Sequence, residues 1–168
     1  MGAGTLDDLA RHAELGTRFF VFLGEVQDMT VRVKRVVDVP APREAVWSFI
    51  SDPEKRARPI SVVTDFELLE DGRAVWHIEL PIPVVSRTIR VETEETVRDP
   101  PARVEFVGRS KVLKVVGKHS LVETDEGTRL TNEFIVDGKV PGVERFFKRN
   151  METEFDNLEA AIRSDLGL

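Results

Sequence analysis

Cysteine and tyrosine are both missing from the 168 residues of this chain. Without cysteine there can be no disulfide framework, thiol nucleophile or thiolate metal site. Without tyrosine no phenol can serve as an acid or a donor in a site. Histidine is scarce, at three residues: His12, His77 and His119. Positive charge is in deficit, with 24 Lys and Arg against 30 Asp and Glu and a formal net charge of -6. A nucleic-acid partner calls for a basic stripe, so that class is set aside. The overall balance also gives no support to electrostatic docking on anionic lipid. Long apolar runs are absent. The longest near the start, residues 19–23 (Phe-Phe-Val-Phe-Leu), falls far short of the ~20 residues that cross a bilayer. It also lacks the basic lead-in and cleavage site of a secretory signal. The chain therefore reads as cytoplasmic, with no integral membrane segment. It has no Gly-rich phosphate loop and no His/Asp/Glu cluster at metal-ligand spacing, so no cofactor and no metal is expected. His119 and Ser120 are adjacent in a strand-like stretch and point to opposite faces, which argues against a serine triad.

Hydrophobic residues make up 41% and charged residues 32%, the balance of one globular domain with a sizeable core. Near the C-terminus, Val143, Phe146, Phe147, Met151, Phe155, Leu158 and Ile162 recur in steps of three and four. That spacing predicts a long helix over residues 141–162 with one buried face. Its other side carries Glu144, Arg145, Lys148, Arg149, Glu152, Asp156 and Glu159, with Glu144 and Lys148 spaced to pair at i,i+4. Ahead of it lie strand-like stretches. Residues 31–39 alternate as a first strand. Pro40-Ala41-Pro42 stops that strand, and Pro42 suits the first turn of a helix whose face is Val46, Trp47, Phe49 and Ile50. Asp52-Pro53 ends that helix, residues 53–58 suit a second short one, and Pro59 terminates it.

Three hairpins set registers. A three-residue loop at Asp71-Gly72, with Gly72 left-handed, pairs Leu68 with Ala74, Phe66 with Trp76 and Thr64 with Ile78. A turn at Asp99-Pro100-Pro101 pairs Val97 with Val104 and Glu95 with Phe106. A four-residue loop at Asp125-Glu126-Gly127 pairs Glu123 with Thr128, Leu121 with Leu130, His119 with Asn132 and Gly117 with Phe134. A slip of one residue would turn each set outward. Residues 1–28 differ in character from the rest. Either Met29 is the natural start, or the segment is an appendage that packs on the domain or on a partner. The domain division is therefore 1–28 as an N-terminal extension and 29–168 as the folded domain.

The order is one strand, two helices, six strands and a long helix. The phrase Val39-Pro-Ala-Pro-Arg-Glu-Ala-Val-Trp47 leads into Phe49-Ile50-Ser51-Asp52-Pro53-Glu54. Later come Gly127-Thr128-Arg129-Leu130-Thr131 and Gly138-Lys139-Val140-Pro141-Gly142. Over about residues 30–163 this resembles the START / birch-pollen-allergen superfamily, in its polyketide cyclase/dehydrase and lipid transport branch (START-like, SRPBCC). The resemblance implies an α+β helix-grip fold: a seven-stranded curved antiparallel sheet wrapped around the C-terminal helix, with a cavity between them. It implies binding of a hydrophobic small molecule such as a lipid, quinone or polyketide-like ring. The alternatives it leaves are a cyclase/dehydratase-type enzyme, or an accessory or assembly protein for a larger enzyme. In the last case a protein partner or self-association could use the N-terminal extension. Many relatives carry an aromatic pair soon after the Asp-Pro-Glu turn. Here that stretch is Lys55-Arg56-Ala57-Arg58-Pro59, which suggests a more polar mouth and a ligand with an anionic group.

On this reading the candidate ligand-binding residues are Phe66, Trp76, Ile78, Phe106, His119, Asn132, Phe134, Phe147, Met151 and Phe155. His119, with Asn132 opposite, is either a polar handle or general base in the cavity or a core histidine satisfied by Asn132 and backbone. Glu95 is either an inward acid with a raised pKa or a solvent-facing residue beside a bulge. These two are the only candidates for catalysis. Thr93 shares the uncertainty of Glu95. Asn150 and Glu154 flank the helix face and can add polar contacts, while His77 faces outward.

Overall fold

The computed structural model describes residues 29–85 and 87–168, so the readings made for residues 1–28 lie outside it. Its elements are β1 (Thr30–Val39), α1 (Arg43–Ile50), α2 (Pro53–Ala57), β2 (Val63–Leu68), β3 (Ala74–Ile78), β4 (Ile89–Asp99), β5 (Arg103–Arg109), β6 (Leu113–Thr124), β7 (Gly127–Gly138) and α3 (Val143–Asp165). The strands form one antiparallel sheet in the order β1-β7-β6-β5-β4-β3-β2. This is the helix-grip arrangement: hairpins link neighbours, and only β1 crosses over to pair with β7.

Local chemistry accounts for the breaks. Pro42 is the N-cap of α1, one position ahead of the first helical turn. Asp52 caps α2 by accepting hydrogen bonds from the backbone N–H groups of Glu54 (2.9 Å) and Lys55 (3.2 Å). Gly72 (φ 83°) and Gly142 (φ 95°) take the left-handed conformation that a side chain disfavours. They sit in the β2–β3 turn and at the N-cap of α3.

The β6–β7 hairpin has the register its turn predicts, with Glu123 opposite Thr128, Leu121 opposite Leu130, His119 opposite Asn132 and Gly117 opposite Phe134. Two registers match expectation on only one side of a bulge. In β2–β3, Leu68 pairs with Ala74 and Phe66 with Trp76, but Val63 rather than Thr64 faces Ile78. In β4–β5, Glu95 faces Phe106, while Val97 faces Glu105 and Val104 faces Arg98. In each strand one extra residue is absorbed between the turn and the far end, so the pairing shifts by one across it.

One face of the sheet and the buried stripe of α3 enclose the core. Val143, Phe147, Met151, Phe155, Leu158 and Ile162 form that stripe. The core has two parts. Around Val46, Phe49 and Ile50 of α1, the side chains of Leu121, Leu130, Leu158 and Ile162 fill one end. The other part gathers Trp76, Phe106, Phe134, Phe147, Met151 and Phe155. Each large side chain fully removed from water contributes about 1.5–3 kcal/mol. Outside, Arg35 of β1 bonds Glu152 and Asp156 of α3 and lies 5.5 Å from the Phe155 ring centroid. Glu144 and Lys148 do not come within ion-pair reach of each other. Among the described residues, no helix is long and apolar enough to cross a membrane.

Candidate functional site

A void of about 40 Å³ lies between the sheet and the first half of α3. Period-two alternation aims Trp76 and Ile78 of β3, Val91 of β4, Leu113 and Val115 of β6, and Phe134 and Val136 of β7 into it. The helical repeat adds Phe147, Met151, Glu154 and Leu158. Ile60, Val62 and Val63, between α2 and β2, complete the wall. Glu154 is the only ionisable residue in this lining, and its carboxylate is already engaged. Ser61 N–H donates to it at 2.8 Å, and the Ser61 hydroxyl donates to its other oxygen. These bonds tie the segment between α2 and β2 to α3. One polar atom in the wall has no partner among the described residues: Trp76 Nε1, a buried donor.

A polar cluster sits beside the void. His119 is only 1% exposed. Its Nδ1 lies 2.7 Å from Asn132 Oδ1; with that oxygen as acceptor, Nδ1 carries the proton. Nε2 then has a free lone pair and no partner among the described residues. Phe106 stacks on the imidazole at 6.1 Å between centroids, and Phe134 meets it edge-on at 5.7 Å. Burial pushes the His119 pKa down to about 4; the Asn132 bond opposes this, and the nearby Arg56 charge lowers it further.

Arg56 of α2 is 5% exposed. Its guanidinium donates to Ile50 O (2.8 Å) and Glu95 (3.0 Å) and lies 5.3 Å from the Phe106 centroid. Burial holds it below the usual arginine range, with the Glu95 bond opposing. Glu95 also accepts from Arg98. The bulge therefore leaves Glu95 neither in the cavity nor free in solvent, but bridging two cations at the sheet margin. Thr93 is buried, with its hydroxyl on Ala74 O (3.2 Å).

Of the ten candidate ligand-binding residues, Trp76, Ile78, Phe134, Phe147 and Met151 line the void. Phe106, His119, Asn132 and Phe155 are buried beside it, and Phe66 packs at the sheet edge. The polar mouth expected from Arg56 and Arg58 does not form. Arg56 points inward to Glu95, and Arg58 is turned to Glu54 on its own helix. An anionic group on the ligand therefore loses its support. Residues 60–63 were missed as wall residues. Their signal was an apolar run, Ile60-Ser61-Val62-Val63, directly after Pro59.

The family model described as polyketide cyclase / dehydrase and lipid transport matches residues 30–163. No curated protein sequence matches the chain significantly. Solved structures share the fold at low identity. A conserved protein from Geobacillus kaustophilus superposes with a TM-score of 0.67 at 19% identity, over 82% of this chain and 95% of that one. The aromatase/cyclase Zhui from Streptomyces sp. R1128 gives 0.61 at 17%, over 80% and 94%. A START superfamily protein from Mycobacterium smegmatis gives 0.62 at 18%, over 79% and 94%.

Proposed function

Given that the chain belongs to the polyketide cyclase / dehydrase and lipid transport family, we propose that it is a non-catalytic binder of an apolar small molecule between the sheet and α3. The observation that carries this reading is the void itself, walled by apolar side chains with its single carboxylate already bonded to Ser61. Apolar surface moved out of water supplies affinity at about 25 cal/mol per Å². The free Trp76 N–H supports a guest with one oxygen acceptor, since an unmet buried donor is costly.

The void of about 40 Å³ is far below the ~300–1,000 Å³ of a typical ligand site. Loading a lipid- or ring-sized guest therefore requires α3 and residues 60–63 to part, and the Ser61–Glu154 bonds resist that movement. A cyclase or dehydratase reading has less support. It needs a base near the guest, whereas His119 lies outside the lining and burial makes it a weak base at neutral pH.

The full chain is tested by native mass spectrometry and by titration with a fluorescent fatty acid, a quinone and a polycyclic phenol. At least one of them should bind with a change in tryptophan emission, and Met151→Trp, which fills the void, should abolish the uptake. Bare protein in the spectrometer together with no uptake of any of the three would end the reading.

A further inference from the structure

The net negative charge conceals a strong division along the molecule. Antiparallel pairing brings three connections to one end: residues 79–85, 87 and 88 between β3 and β4, 110–112 between β5 and β6, and 139–142 between β7 and α3. They are bound to one another. The Lys139 N–H donates to Val112 O at 2.8 Å, and its ammonium donates to Ser110 O at 2.8 Å. Ile82 lies against Gly142. Segments 79–90, 109–114 and 137–149 carry nine Lys and Arg against three Asp and Glu, in a chain where acids outnumber bases 30 to 24. At the opposite end, segments 68–74, 97–103 and 123–129 carry six Asp and Glu against four Arg, with Glu70, Asp71, Asp99, Asp125 and Glu126 at the turns.

The tip of the basic end is apolar. Residues 80–85 read Leu-Pro-Ile-Pro-Val-Val, with no polar side chain. Val84 is 60% exposed, and Pro81 and Pro83 are exposed. A shallow groove beside it is lined by Val84, Val85, Val112 and Val140, with Arg87 and Lys111 on its rim. Arg87, Lys111 and Lys139 are exposed, as are Arg145, Lys148 and Arg149 on the opening turns of α3. Among the described residues, none of these six stands in an ion pair.

We propose that this end docks on an anionic lipid surface, with the tip at residues 81–85 entering the headgroup layer and the surrounding cations meeting lipid phosphates. The physical case is the pairing of two features. Exposed cations attract an acidic surface of any kind, but an apolar projection among them that no described residue covers fits a soft, partly apolar interface. The acidic turns at the far end fix the orientation, because they are repelled by the same surface. The proposal does not depend on a ligand in the void.

Flotation of the full chain with vesicles tests it. One set is phosphatidylcholine alone; in the other roughly a quarter of the lipid is phosphatidylglycerol. Binding should occur to the second set only and fall away in high salt, where surface charges are screened. Arg87→Glu with Lys111→Glu should weaken it roughly tenfold or more, and Val84→Asp should weaken it at low salt. Arg103→Glu, at the acidic end, should leave it unchanged. All four positions are exposed, and thermal unfolding verifies that each variant is folded. Absence of binding to both vesicle sets, equal binding to both, or equal loss with Arg103→Glu would overturn the proposal. So would self-association that Val84→Asp abolishes without any vesicle binding, which would assign the face to a second copy of the chain. Unchanged uptake of soluble probe by Val84→Asp separates this result from the fate of the ligand reading.

Discussion

His119 has one ring nitrogen bonded to Asn132 and the other without a partner among the described residues, both out of water. Its pKa falls from the ordinary 6.5 to about 4 because the buried ring disfavours charge. The unfolded chain therefore binds more protons than the folded one between those values, and stability declines as pH drops through that window. The contribution is fully present above about 6.5. At pH 4.5 about 2–3 kcal/mol of it should be gone. Urea unfolding at pH 7 and pH 4.5 measures this. His119→Phe should flatten the difference by that amount, since other acid-sensitive groups are common to both proteins. An unchanged slope in the variant would mean that a different group takes up the proton.

Among the helices of the described residues, α2 is the shortest and the most dependent on its cap. Five residues cannot sustain a helix by propensity; Asp52 supplies the bonds its first turn lacks. Asp52→Ala should lower stability by about 1 kcal/mol, read from the denaturation midpoint. It should also loosen Arg56, which α2 aims at Glu95. Strand bulges explain a different outcome. The β6–β7 hairpin, twelve residues on each side without a bulge, has the register its turn predicts. In β2–β3 the expected pairs hold on the turn side of the bulge and fail beyond it, whereas in β4–β5 the far pair Glu95–Phe106 holds and the turn-side pair Val97–Val104 does not, since an inserted residue resets the pairing across it. Alternation of residue types does not say where that insertion falls.

At the scale of the whole molecule, α1 closes one end of the sheet with packed side chains, while the void lies toward the basic end. Val136→Ile adds a single methylene at the wall. Because the void has room for it, stability should change by less than about 1 kcal/mol, and probe affinity should fall. A loss of about 1–3 kcal/mol would instead mark a site already full. Calorimetric unfolding with a parallel probe titration decides between them.

The order of elements, the inward stripe of α3 and the His119–Asn132 pair were legible in the linear chain. Periodicity and turn chemistry are local, so they act before distant parts meet. Which inward residues touch the void, that Arg56 turns to Glu95, that Ser61 engages Glu154, and that nine cations gather at one end were decided only when the sheet closed on the helix. Those are distances between residues far apart in sequence, set by curvature, bulges and the antiparallel return of each strand. Such distances leave no periodic trace along the chain.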